Sequence, residues 1–207
     1  MRLITFGCSL AYGHGLSDCF KKSFNEPGET ASQQAFPYLV ARKLNRECLN
    51  LSRPGASNKE IWTKAVNYDY EFKDIVLVHW SYPDRNIVYK DNKTVELAPW
   101  QDNKESQLFY KHFHSDIDAS NDFYLRLDHL NNLYTRLNIQ CLFFIPKYKY
   151  YAEQPSWCNA EITPYSLVVI SQEKKDFALD NKHPGADSHF EFARQVYHIL
   201  KIKESFK

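Results

Sequence analysis

The residues with the clearest chemical potential lie at the two ends of the chain. Near the start, Gly7-Cys8-Ser9 ends a short apolar run; near the finish, Asp180-Asn181-Lys182-His183 sets a carboxylate three residues before an imidazole. A serine hydroxyl is a poor nucleophile until a neighbouring base takes its proton, so Ser9 needs exposure and a histidine partner. Its place after Gly7, at the end of a strand, supplies the exposure; the simpler role is to cap the following turn. Cys8 is the rival nucleophile. Neighbours leaving a strand point to opposite sides, however, and a small buried cysteine is usually core. Pro184 biases His183 away from helical geometry, so Asp180 and His183 belong to a loop in which the carboxylate can hold the imidazole, or to an ordinary turn before a helix.

A second group lies between these ends. Gly55 follows Pro54 and serves either as a turn glycine or as a backbone donor, and the two roles are compatible. Ser81 stands where a buried apolar run stops and is either a bland strand-end residue or a donor. Trp80 and Arg85 flank the same point and could stack on a sugar or grip a substrate carboxylate, against the simpler roles of core packing and a salt bridge. His112-Phe113-His114 has no acidic or cysteine partners at a recognised ligand spacing, so these are surface histidines and no metal is expected. Nor is any cofactor.

The elements that must position these residues follow from periodicity. Leu3–Phe6 reads as a first strand, Asp18–Thr30 as a loop, and Ala31–Asn45 as a helix through Ala35, Leu39 and Leu44. Glu47–Leu51 returns as a strand, and Ser57 or Asn58 caps a helix to about Tyr70. Asp74–Trp80 is the continuous apolar run of a strand covered on both faces. From Arg85 to Gln107, Ile87-Val88-Tyr89 and Thr94-Val95-Glu96-Leu97 flank Asp91-Asn92-Lys93, which suits a hairpin or lid inserted around residues 85–115. Ser115–Asn138 has helical spacing, and Gln140–Ile145 is a further strand. In the segment from Lys147 to Lys175 the clear strand or buried piece is Leu167-Val168-Val169-Ile170. Ser188-His189-Phe190-Glu191 has the form of a capping box, which starts a last helix near His189. Alternating strands and helices predict a mostly parallel α/β sheet of about five strands, with ligands beyond its carboxyl ends.

A length of 207 residues suits a single domain, 1–207, and a formal charge of +1 leaves no field to attract nucleic acid or an anionic membrane. The longest apolar runs fall far short of the roughly 20 residues of a membrane helix. The start, Met1-Arg2-Leu3-Ile4, goes straight into a strand pattern without signal-peptide features, so a cytoplasmic location is expected. Five cysteines without paired spacing predict free thiols. The many aromatic residues are read as core and rim in preference to a sugar-stacking surface.

Taken together, four blocks resemble the SGNH (GDSL-like) hydrolase superfamily: Phe6-Gly7-Cys8-Ser9-Leu10, Arg53-Pro54-Gly55-Ala56-Ser57-Asn58, His79-Trp80-Ser81-Tyr82, and Asp180-Asn181-Lys182-His183-Pro184. Their order and spacing span nearly the whole chain. The resemblance implies a three-layer flavodoxin-like sandwich. It also implies a serine hydrolase acting on ester bonds of a small molecule or glycan, as an esterase or carbohydrate O-deacetylase. Ser9 would be the nucleophile, His183 its base, Asp180 the residue that orients His183, and Ser9 and Gly55 backbone N–H groups the oxyanion donors. Two positions depart from the family pattern: Cys8 replaces an Asp, and Ser81 replaces the oxyanion Asn. These departures motivate a non-catalytic binding or structural module as the alternative, and transfer of an acyl group to a glycan uses the same residues.

Overall fold

The computed structural model describes residues 1–23, 26–90, 93–147 and 151–205. Its centre is a sheet of four parallel strands: β1 (Arg2–Gly7), β4 (Glu47–Asn50), β5 (Ile75–His79) and β8 (Gln140–Phe144), in the order β4-β1-β5-β8. Short two-residue strands β2 (Phe20–Lys21) and β3 (Glu26–Pro27) pair within the loop after β1. The sheet has four strands where about five were expected. At its outer edge a single parallel bridge, Phe143 to Ile162, stands in the place a fifth strand would take.

Helices account for the apolar character of the central strands. Helix α2 (Phe36–Lys43) packs on β1 and β4 and against α7 (Ala186–Ser205), which in turn packs on α6 (Leu167–Lys174). Helices α3 (Asn58–Val66) and α5 (Asp116–Arg136) pack together, against β1 and β8 respectively. Successive strand residues therefore meet different layers, as the pleat requires. Phe144 sits edge-on to Phe36 and Phe192, whereas the Phe143 ring neighbours Tyr134 of α5. All five residues of β5 are buried, which is why that run carries no polar alternation. Among the described residues no helix is long and apolar enough to cross a membrane.

The segment that reads as an insertion folds as an antiparallel hairpin, β6 (Asn86–Lys90) and β7 (Lys93–Leu97), followed by α4 (Lys104–His112). Its turn at 91–92 lies outside the described residues, as do residues 148–150 of the poorly patterned stretch further on.

Two local expectations need correction. Leu167–Ile170 is helical: Ser166 opens α6 by accepting a hydrogen bond from the Val169 N–H at 3.3 Å, and this cap overrides the strand preference of the two valines. The last helix begins at Ala186, before the supposed capping box, so Ser188 already lies in its first turn. The cap there is the Asp176 carboxylate, whose Oδ2 accepts from both the Ser188 N–H and hydroxyl at 2.7 Å. A distant carboxylate has taken the role that a local Glu191 was expected to fill. Glu191 instead pairs with Arg194.

Candidate active site

Ser9 opens a four-residue helix, α1 (Ser9–Tyr12), immediately beyond the carboxyl end of β1. Cys8 is extended before it, and Gly13, with φ +79°, ends it. The turn is crowded: a Cβ on Gly7 would lie 2.8 Å from Ala11 Cβ and 3.1 Å from the His79 carbonyl oxygen, so a side chain there would force a shift. Asn50, at the end of β4, donates to the Ala11 carbonyl at 2.8 Å and ties α1 to the neighbouring strand.

Asp180 and His183 form a tight turn closed by an antiparallel bridge between Phe177 and Pro184. His183 Nδ1 lies 2.5 Å from Asp180 Oδ2, while Asp180 Oδ1 accepts the backbone N–H groups of Lys182 and His183, each at 3.0 Å. Burial opposes ionisation of Asp180, but these hydrogen bonds outweigh it and hold the carboxyl below its ordinary range. The turn docks on the segment after α1: the Leu179 N–H donates to the Gly15 carbonyl at 2.9 Å, and a Cβ on Gly15 would lie 2.8 Å from Asp180 Oδ1.

Ser9, Gly55 and His183 line one cavity of about 220 Å³, together with His14, Pro54, Arg85 and residues of the hairpin and the loop after it. A second cavity of about 240 Å³ also contains Ser9, Arg85 and His183. Ser9 and His183 make no direct hydrogen bond; such contacts in ligand-free enzymes are often long and tighten with substrate. The backbone N–H groups of Ser9 and Gly55 have no hydrogen-bond acceptor among the described residues, which leaves both free to serve a ligand. Gly55 has φ +80°, a turn conformation that suits glycine.

The structure thus brings together five of the seven sequence-derived site residues, Ser9, Gly55, Arg85, Asp180 and His183. The other two are corrected. Trp80 is fully buried, stacked edge-on against Phe123, and lines none of the cavities described here. Ser81 is also fully buried; its N–H donates to Asn58 Oδ1 at 2.7 Å, its carbonyl accepts from the Tyr151 hydroxyl, and its own hydroxyl has no partner. Both side chains turn inward because helix α5 and the segment around Tyr151 cover the end of β5.

Cys8 is buried in the core beside the site. Burial raises its thiol pKa, but His79 and Arg85 nearby pull it down further, to about 7. Ser9 is itself buried, at 6% exposure, against the exposure its place after Gly7 suggested; the contrast with Cys8, at 1%, is that Ser9 lines the cavities that contain His183 and Cys8 lines none of those described here. All five cysteines are free.

Sequence reasoning missed His14, whose ring stacks on that of His183 at 4.5 Å and 21°. Burial is the main force lowering the His14 pKa, with His183 adding to it and Asp180 opposing. The His14 ring is a flat wall against the face of His183. Its signal was its place between Gly13 and Gly15, five residues beyond Ser9. Among the described residues His14, Asp180 and His183 form one group that could hold a metal ion, their ligand atoms lying within 4.8 Å of one another. His183 Nδ1 and both Asp180 oxygens are already engaged with one another and with backbone N–H groups of the turn. Of the two histidines expected at the surface, His112 is exposed on α4, whereas His114 is half-buried and pairs with Asp116 at 2.9 Å.

The fold recurs in known structures. The fold is that of the SGNH hydrolases. A psychrotrophic esterase from Pseudoalteromonas sp. matches with a TM-score of 0.57 at 12% identity over 99% of this chain and 98% of that one. A protein from Slackia heliotrinireducens described as an SGNH hydrolase matches at 0.51 and 11% over 97% and 98% of the two chains. An acetyl xylan esterase from Butyrivibrio proteoclasticus gives 0.56 and 12% over all of this chain; the chain spans 65% of that esterase's length. At such identities the SGNH likeness is one of fold. No protein-family model matches the sequence, and a comparison with curated proteins finds no match.

Proposed function

We propose that this SGNH-fold chain is a serine hydrolase of ester bonds, taking small-molecule or glycan esters. The observation that carries the reading is the Asp180–His183 pair at 2.5 Å, presented to the cavity that also holds Ser9 and Gly55. Substrate would seat its carbonyl carbon against Ser9 Oγ. His183 Nε2 takes the serine proton as the C–O bond to Ser9 forms, and Asp180 keeps Nδ1 protonated and stabilises the imidazolium. The charge that develops on the carbonyl oxygen is met by the N–H groups of Ser9 and Gly55, donors of a kind commonly worth about 10²–10³ in rate each. The tetrahedral species collapses as His183 returns the proton to the leaving alcohol. Water, deprotonated by the same imidazole, then frees the acyl group from Ser9.

The inward-turned Ser81 gives the non-catalytic reading its support, since it leaves the site without the family's side-chain donor. A fluorophosphonate probe decides between the two. Covalent labelling of the wild type, lost in Ser9→Ala and kept in Cys8→Ala, is the expected result; an unlabelled wild type makes this a binding module.

A further inference from the structure

Arg85 stands out among the cations of this protein. Its guanidinium lies over the Trp100 ring at 4.9 Å and the Tyr82 ring at 5.5 Å, and two of its nitrogens, Nε and Nη1, are buried without a hydrogen-bond partner. Among the described residues it makes no ion pair. Arg53 nearby contrasts with it, engaging Glu60 and, at 2.6 Å, Glu96. The same Glu96 lines the Ser9 cavity with Arg85, so the acidic group of that cavity is already committed to Arg53. On the other side, Asp84 is pushed toward its neutral form by burial, against the pull of Arg85, and Asp116 is held by His114 at the surface. A half-buried arginine with two unpaired buried nitrogens and no carboxylate within ion-pair distance among the described residues is a group whose partner is expected to come from elsewhere.

Its position says where that partner sits. Arg85 lines both cavities described above that contain Ser9 and His183, and it also lines a larger one of about 540 Å³ with Tyr82, Trp100 and Tyr151. That volume is within the range of small-molecule sites. Two aromatic rings lie against the guanidinium, and its planar fork of N–H donors matches the paired oxygens of a carboxylate. The charge reaches the nucleophile's neighbourhood, since it is one of the forces on Cys8.

We propose that Arg85, beside Tyr82 and Trp100, is the receptor for a carboxylate on the substrate, so that the esters turned over at Ser9 are anionic ones. The proposal rests on the ester-hydrolase reading for its chemistry but not for its binding. Matched ester pairs test it: 4-acetoxybenzoate against its methyl ester places the charge on the alcohol side, and 4-nitrophenyl hemiglutarate against 4-nitrophenyl pentanoate places it on the acyl side. The wild type should favour the anion of at least one pair by about 10- to 100-fold in kcat/KM, the scale of a charge-assisted hydrogen bond. Arg85→Met should bring that ratio close to one, and Arg85→Lys should keep part of it. A wild-type ratio near one for both pairs overturns the proposal. So does a loss in Arg85→Met that is equal for the charged and neutral members, which would assign Arg85 to the oxyanion. Calorimetry with Ser9→Ala separates this outcome from failure of the hydrolase reading. Tighter binding of 4-acetoxybenzoate than of its methyl ester, abolished by Arg85→Met, supports the carboxylate receptor even if the wild type cleaves no ester; equal binding of the two overturns it.

Discussion

At the scale of single residues, the chemistry separates two histidines that lie six positions apart. His183 faces the cavity with Ser9, whereas His189 is buried in α7 and accepts the Phe36 N–H on Nδ1 at 3.1 Å. We expect His183→Ala to lower kcat by at least about 10³, as the loss of a triad base does, with circular dichroism unchanged. His189→Ala should retain turnover per folded molecule and lose stability instead. If His189→Ala is the folded but inactive variant, the base has been misassigned. Ser81 gives a contrary expectation to the one its sequence position invites. An Asn there could restore the family's donor only if the side chain reached the cavity, but the position is fully buried between Asn58 and Tyr151. Ser81→Asn should therefore cost about 1–3 kcal/mol of stability by overpacking, read as a lower urea midpoint, with no gain in kcat.

At the scale of elements, the site depends on how two loops meet. The turn carrying Asp180 is pressed onto the Gly13–Gly15 segment, and Gly15 combines φ +92° with no room for a Cβ against Ala178 and Asp180. Gly15→Ala should destabilise the protein by about 1–3 kcal/mol, since both backbone and contact are strained. Because the displaced group is the one orienting His183, the rate of fluorophosphonate labelling should fall too. Normal labelling in Gly15→Ala would mean that Asp180 is held by its own turn alone. The hairpin β6–β7 and the loop after it supply Trp100, Gln101 and Leu97 to the cavity wall. Their alternating pattern revealed the hairpin, but not that it folds over Ser9, since no local signal encodes where an insertion lands.

At the scale of the whole molecule, His189 links α7 to α2 across the core, and it titrates as a buried group. Burial lowers its pKa from 6.5 to about 3. The unfolded chain accepts a proton that the folded one refuses, so stability is full above pH 6.5 and declines as pH falls through the window down to about 3. At pH 5 the loss attributable to this one group is about 2 kcal/mol. Urea unfolding of the wild type and of His189→Asn, whose amide oxygen can still accept the Phe36 N–H, should show a smaller drop between pH 7 and pH 5 in the variant. Equal drops would place the acid sensitivity elsewhere.

The α/β class, the strands β1, β4, β5 and β8, and the Ser9, Gly55 and Asp180–His183 positions were legible in the sequence. The reason is that strand burial writes itself as continuous apolar runs, and chemistry in a parallel sheet gathers at the residues just after those runs. Side-chain direction beyond a strand end is not written in this way. Whether Ser81 and Trp80 turn toward the cavity or into the core was decided by Asn58, Tyr151 and Phe123, all remote in sequence. The start of α7 was likewise decided by Asp176 across a loop, not by the local capping pattern. The stacking of His14 on His183 and the contact of Arg85 with Trp100 exist only once separate segments are packed. Local propensity selects an element and its ends, but contacts between elements determine which of its residues reach the site.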